Sequence, residues 1–122
     1  MDSRRVLIVE DETLTAMAIE RCLTELGCEV VGLAATGEEA LQKAKTEAPD
    51  LIFMDVHLAG AMDGFEAARR INAERRTPTV IISGYSDRVV EAGSTQFEAA
   101  AYLPKPIGFD EIAELLRAIP GG

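Results

Sequence analysis

The stretch RRVLIVEDE, Arg4 to Glu12, runs through four apolar residues in a row and stops on three acids. A strand with one wet face alternates apolar and polar side chains. A continuous β-branched run instead marks a strand buried on both faces, as in a parallel sheet covered by helices above and below. The period then changes. Leu14, Met17, Ala18, Cys22, Leu23 and Leu26 recur at helical spacing as one inward face, and Gly27 closes the segment.

Outward from this point the two patterns alternate to the end of the chain. CEVVGLA (28–34) reads as a second strand, and Thr36 with Glu39 forms a capping box for a helix running to about Glu47. Pro49-Asp50 interrupts the chain before LIFMD (51–55), a third strand. Asp63-Gly64 introduces a helix through about Asn72, with Phe65, Ala68 and Ile71 on its inner side. TVIIS (79–83) is a fourth strand, Ser86 caps a short helix around Arg88 to Ala92, and AAYL (100–103) is a short fifth strand. Phe109, Ile112, Leu115, Leu116 and Ile119 give the closing helix its apolar face. Five strands alternating with five helices predict an α/β fold, a doubly wound parallel sheet in the order 2-1-3-4-5.

Length and composition agree with one domain. The chain has 122 residues, 48% hydrophobic and 27% charged, enough for a single core and a wet surface. Residues 1–122 are expected to form one unit with nothing left over for an output domain. No apolar run approaches the roughly 20 residues of a membrane span, and the first residues lack a signal-peptide pattern. Cys22 and Cys28 form no CxxC motif and read as reduced, buried thiols of a cytoplasmic protein. A net charge of −9 argues against direct contact with nucleic acid or an anionic membrane. The locally basic RRINAERR (69–76) reads as the solvated face and end of a helix.

In a sheet of this kind ligands bind beyond the carboxyl ends of the strands, at the switch point between the first and third. The polar residues at predicted strand ends are Glu10, Asp11, Asp55, Ser83 and Lys105. Neighbouring carboxylates repel, and a hard divalent cation, Mg²⁺ or Mn²⁺, relieves the repulsion. Lys105 adds a mobile positive charge and Ser83 a hydroxyl donor, each suited to a phosphoryl oxygen. Phosphoryl transfer spreads charge over three such oxygens, so a metal, a lysine and a hydroxyl around one carboxylate form a complete set. Asp55 is then a nucleophile that forms an acyl phosphate.

The motifs VLIVEDE, PDLIFMDVHL, MDGFEAAR, VIISGYSD and AYLPKP, in this order, resemble the receiver domain of two-component response regulators across essentially the whole chain. The resemblance implies that a histidine kinase or histidine phosphotransfer protein donates a phosphoryl group to Asp55. Mg²⁺ would be held by Asp11, Asp55 and the backbone carbonyl of His57, with Glu10 acting through water. Lys105 and Ser83 match the family's lysine and hydroxyl, and Tyr102, three residues before the lysine, matches its switch aromatic. A cis Lys105-Pro106 bond is also implied. The signal would pass to an unidentified downstream protein, and a homodimer through the fourth helix, fifth strand and fifth helix is a further expectation. Such a domain catalyses only its own phosphorylation and dephosphorylation and is not otherwise an enzyme.

Three features depart from the pattern. Gly64 stands nine residues after Asp55, one more than is usual, with the extra residue around Gly60-Ala61. The usual Leu-Pro of this loop is Leu58-Ala59, and the acidic pair is Glu-Asp where Asp-Asp is commoner. SGYSD (83–87) resembles the fourth-strand segment of short single-domain receivers. His57, the chain's one histidine, invites a general-base role, but its loop position favours a side chain that tunes water access. Asp63 reads as a turn or N-cap residue and not as a metal ligand. A haloacid-dehalogenase-type phosphatase also uses Asp, Ser or Thr, Lys and an acidic pair, but its Asp-x-Asp lies on the first strand. A phosphorylation-independent adaptor would not need all five pocket positions filled, and a flavin site would need a phosphate-cradling loop after the first strand.

Overall fold

The computed structural model describes residues 3–84 and 97–120. Within them the chain alternates as the sequence periods predict. The elements are β1 (Arg5–Val9), α1 (Thr13–Glu25), β2 (Glu29–Ala34), α2 (Gly37–Glu47), β3 (Leu51–Asp55), α3 (Gly64–Glu74), β4 (Thr79–Ser83), β5 (Ala101–Pro104) and α4 (Phe109–Ala118). All strand pairs are parallel, in the order β2-β1-β3-β4-β5. Four helices are thus described. The predicted short helix at Arg88 to Ala92, its Ser86 cap and most of SGYSD lie outside the described residues.

The two-residue period of the strands sorts the apolar side chains into two cores. Val6 and Ile8, Leu51 and Phe53, Val80 and Ile82, and Leu103 face α1 and α4. Leu7 and Val9, Ile52 and Met54, and Ile81 face α2 and α3. Every residue of β3 and β4 is buried, so these strands take the centre and their last residues emerge inside a cleft.

The helix entries follow local chemistry. Thr36 accepts from the Glu39 amide at 3.1 Å, while the Glu39 carboxylate reaches back to the Ala35 amide at 2.8 Å, one residue short of the reciprocal capping box. Asp63 caps α3 by accepting from the Glu66 amide at 2.8 Å, the role expected for it.

One helix face differs from the expectation. The core face of α1 is Ala16, Ile19 and Leu23, whereas Leu14 is 80% and Met17 55% exposed. At roughly 100° per residue, Leu14 lies about half a turn from Leu23, so both cannot face the sheet. The sheet takes the stripe that continues through Leu23, and the other apolar pair is left in water. Cys28 is buried as expected and Cys22 is only half-buried; both are free thiols.

Candidate functional site

The parallel register delivers the polar strand ends to one place. β1 and β3 are neighbours, with Val9 opposite Met54, so Glu10 and Asp11 follow directly beside Asp55. Asp55 stands opposite Ile82, which brings Ser83 to the same rim, and Ser83 pairs with Pro104, which brings Lys105. The Lys105 amide donates to the Ser83 carbonyl at 3.0 Å, and the Lys105-Pro106 bond is cis. Asp55, Glu10 and Ser83 are buried, Asp11 is exposed, and Tyr102 on β5 is partly exposed at the edge.

Lys105 is the hub. Its Nζ lies 3.0 Å from Asp55 Oδ2 and 3.0 Å from Glu10 Oε1. Asp55 Oδ1 accepts from the His57 amide at 3.1 Å. The His57 side chain is exposed, in keeping with a rim position. Burial, followed by a hydrogen bond shared with Asp55, pushes the Glu10 carboxyl up to about 7, against the opposing pull of the Glu12 amide and Lys105. Burial disfavours the Lys105 ammonium, but the Glu10 and Asp55 carboxylates outweigh it and raise its pKa.

Glu10, Asp11 and Asp55 each bring a carboxylate oxygen to within 4.8 Å of the other two. Three hard, anionic oxygen donors at this spacing, one of them driven toward its protonated form, suit a small divalent cation such as Mg²⁺. A cation there would remove the repulsion that the lone ammonium only partly offsets.

The segment between Asp55 and α3 holds what the sequence did not reveal. Ala59 forms a parallel bridge with Thr36, and Gly60 takes a positive φ of 93° against the Glu38 carboxylate. Met62 is buried against Gly37, where a Cβ would stand 2.8 Å from the Met62 sulfur. The segment is therefore a turn pinned to the start of α2. Gly60 was a visible signal, but its docking partner was not. A groove of about 500 Å³ runs beside the site between α1 and the segment that follows β5, with Leu14, Ala18, Ile19, Cys22, Lys105, Pro106 and Ile107 in its lining.

Fold and site together define a doubly wound α/β domain with an acidic cleft beyond the carboxyl ends of its central strands. Residues 6–117 match the family model of the response regulator receiver domain, and the chain belongs to that family. It is similar to the transcriptional regulatory protein PdtaR of Mycobacterium tuberculosis, 40% identical over 116 residues, which are 95% of this chain and 55% of that protein. The chain thus spans about half the length of this curated relative. Among solved structures it resembles the signal receiver domain of a modulated diguanylate cyclase from Desulfovibrio desulfuricans. The TM-score is 0.87 at 33% identity, covering 95% of this chain and 92% of that one. The receiver domain of a sensor histidine kinase from Pseudomonas aeruginosa, with a magnesium ion coordinated in its active-site cleft, gives 0.84 at 30% identity over 94% and 95%. The chain is a signalling domain of the two-component, phosphorelay type. No helix among the described residues is long and apolar enough to cross a membrane.

Proposed function

We propose that Asp55 is the phosphoacceptor of a cytoplasmic two-component relay. The supporting observation is the buried Asp55 carboxylate at the end of the central strand, hydrogen-bonded to Lys105 Nζ at 3.0 Å among the Glu10 and Asp11 carboxylates. One Asp55 oxygen attacks the phosphorus of a phosphohistidine. The new O–P bond forms as the P–N bond breaks, and the imidazole keeps the electron pair and takes up a proton. The product is an acyl phosphate, and attack by water returns the carboxylate and inorganic phosphate.

Lys105 moves its hydrogen bond from Asp55 to a phosphoryl oxygen, and the Ser83 hydroxyl donates to another. Asp11, Asp55 and the His57 carbonyl would hold Mg²⁺, with Glu10 beside them; the ion, when bound, supplies countercharge for the transferred group. Engagement of Ser83 by the phosphoryl group, with Tyr102 turning inward, would alter the surface that a downstream protein reads. Exposed Leu14 and Met17 and the adjoining groove suit the histidine-bearing helix of a kinase or phosphotransfer protein, because they open beside Lys105.

Acetyl phosphate with Mg²⁺ should label the wild type and leave Asp55→Asn unlabelled, read by phosphate-affinity electrophoresis. An unlabelled wild type, or equal labelling of both proteins, would overturn the reading.

A further inference from the structure

From His57 to Asp63 one residue is buried. His57, Ala59, Gly60, Ala61 and Asp63 are exposed and Leu58 is half-buried, whereas Met62 joins the core of Ala34, Ala40, Val56 and Phe65. Its seat is Gly37, the first residue of α2. A Cβ there would stand 2.8 Å from the Met62 sulfur, 2.9 Å from its Cβ and 3.0 Å from its Cγ. The contact reaches the root of the side chain, so turning the thioether aside would not clear it. Glycine is otherwise a weak helix former, and by propensity alone an alanine would favour α2. Met62 supplies the tertiary reason for the glycine.

The same loop holds Asp55 at its other end. The His57 amide donates to Asp55 Oδ1 at 3.1 Å, while Oδ2 meets Lys105 Nζ at 3.0 Å, so amide and lysine together set the plane of the carboxylate. Beyond His57 the loop returns to the fold at Ala59, bridged to Thr36, and at Met62. Both contacts fall on the start of α2, an element that supplies none of the cleft's acids, its hydroxyl or its lysine. We infer that Met62 is the positioning residue for the His57 main chain: seated on Gly37, it ties the loop to α2 and keeps the His57 amide on Asp55. With the loop untied, Oδ1 loses a fixed donor and the carboxylate turns more freely. The His57 carbonyl, a ligand in the proposed cation site, is carried on the same residue. The consequence for phosphoryl transfer rests on the phosphoacceptor reading; the latch itself does not.

The test reads the His57 amide in the resting, metal-free protein. By ¹⁵N-resolved hydrogen exchange this amide should be protected in the wild type and exchange about tenfold faster in Met62→Ala and in Gly37→Ala. Gly37→Ala added to Met62→Ala should bring little further loss, because the loop is already released. Ala44→Gly weakens the same helix two turns on, beside Ile71 and Arg75, and should leave the protection within about twofold. An unprotected wild-type amide, losses that multiply, or an equal loss in Ala44→Gly would each overturn the proposal. A second arm titrates Mg²⁺ without a phosphodonor, followed by amide shifts. Met62→Ala should bind about tenfold more weakly, and wild-type affinity in that variant would sink the inference. A wild type with a protected His57 amide that takes no phosphoryl group from acetyl phosphate would refute the phosphoacceptor reading and leave the latch standing.

Discussion

At Gly64 a Cβ would stand 1.9 Å from the carbonyl oxygen of Asp55 and 2.8 Å from its carbonyl carbon. The start of α3 therefore rests on the backbone of the proposed phosphoacceptor, and the Gly64 amide donates to the Val56 carbonyl at 2.8 Å. No side chain can move aside here, because the obstacle is main chain. Gly64→Ala should destabilise the protein by about 2 kcal/mol or more, as overpacking does, and slow labelling of Asp55; urea unfolding and acetyl phosphate labelling would show both. Ordinary stability with ordinary labelling would contradict the close approach. The sequence marked Asp63-Gly64 as a turn, which gave the aspartate's cap correctly. The reason for the glycine was not legible, since it lies in contact with a residue nine positions earlier. His57 is a parallel case: the sequence singled it out by its rarity, while the structure uses its amide on Asp55 Oδ1 and leaves its ring at the surface.

Between elements, the paired arginines that begin β1 are divided by the alternation of the strand. Arg4 is buried and donates to the Leu116 carbonyl at 2.9 Å and to the Ile119 carbonyl, closing the last turn of α4. Arg5 turns to the other side, bonding the Glu47 carbonyl at the end of α2 and pairing with the Glu47 carboxylate at 3.3 Å. Cations at helix carboxyl ends satisfy orphan carbonyls and oppose the helix dipole. Because the Arg4 contacts are buried, its loss leaves those carbonyls without a partner, and Arg4→Ala should cost roughly 1–3 kcal/mol. Exposed Arg117→Ala should stay within about 0.5 kcal/mol. Equal melting temperatures for the two variants would count against the cap. Thr36 and Asp63 were readable because a cap and its amide lie three residues apart. Arg4 and Leu116 are 112 residues apart, and no local pattern connects them.

For the molecule as a whole, the sheet order gathers groups from four strand ends into one acidic cleft and leaves an apolar strip of α1 beside it. If that strip receives the phosphodonor, Leu14→Arg should slow transfer from a phosphohistidine protein about tenfold or more, mainly through weaker docking. Labelling by acetyl phosphate, which needs no docking, should stay within about twofold. Equal slowing with both donors would place the effect in the cleft and not on the strip. The sequence by itself determined the strands, the capped starts of α2 and α3, the parallel α/β class and the identities of the residues at the strand ends. Those features are set by two- and four-residue periods and by caps, which act between near neighbours. Only the tertiary structure decided that Lys105 meets both Asp55 and Glu10, that Leu14 faces water, and that the loop after β3 docks on the start of α2. Lys105 and Asp55 are 50 residues apart, and their distance is fixed by strand register and side-chain packing summed over the intervening sheet.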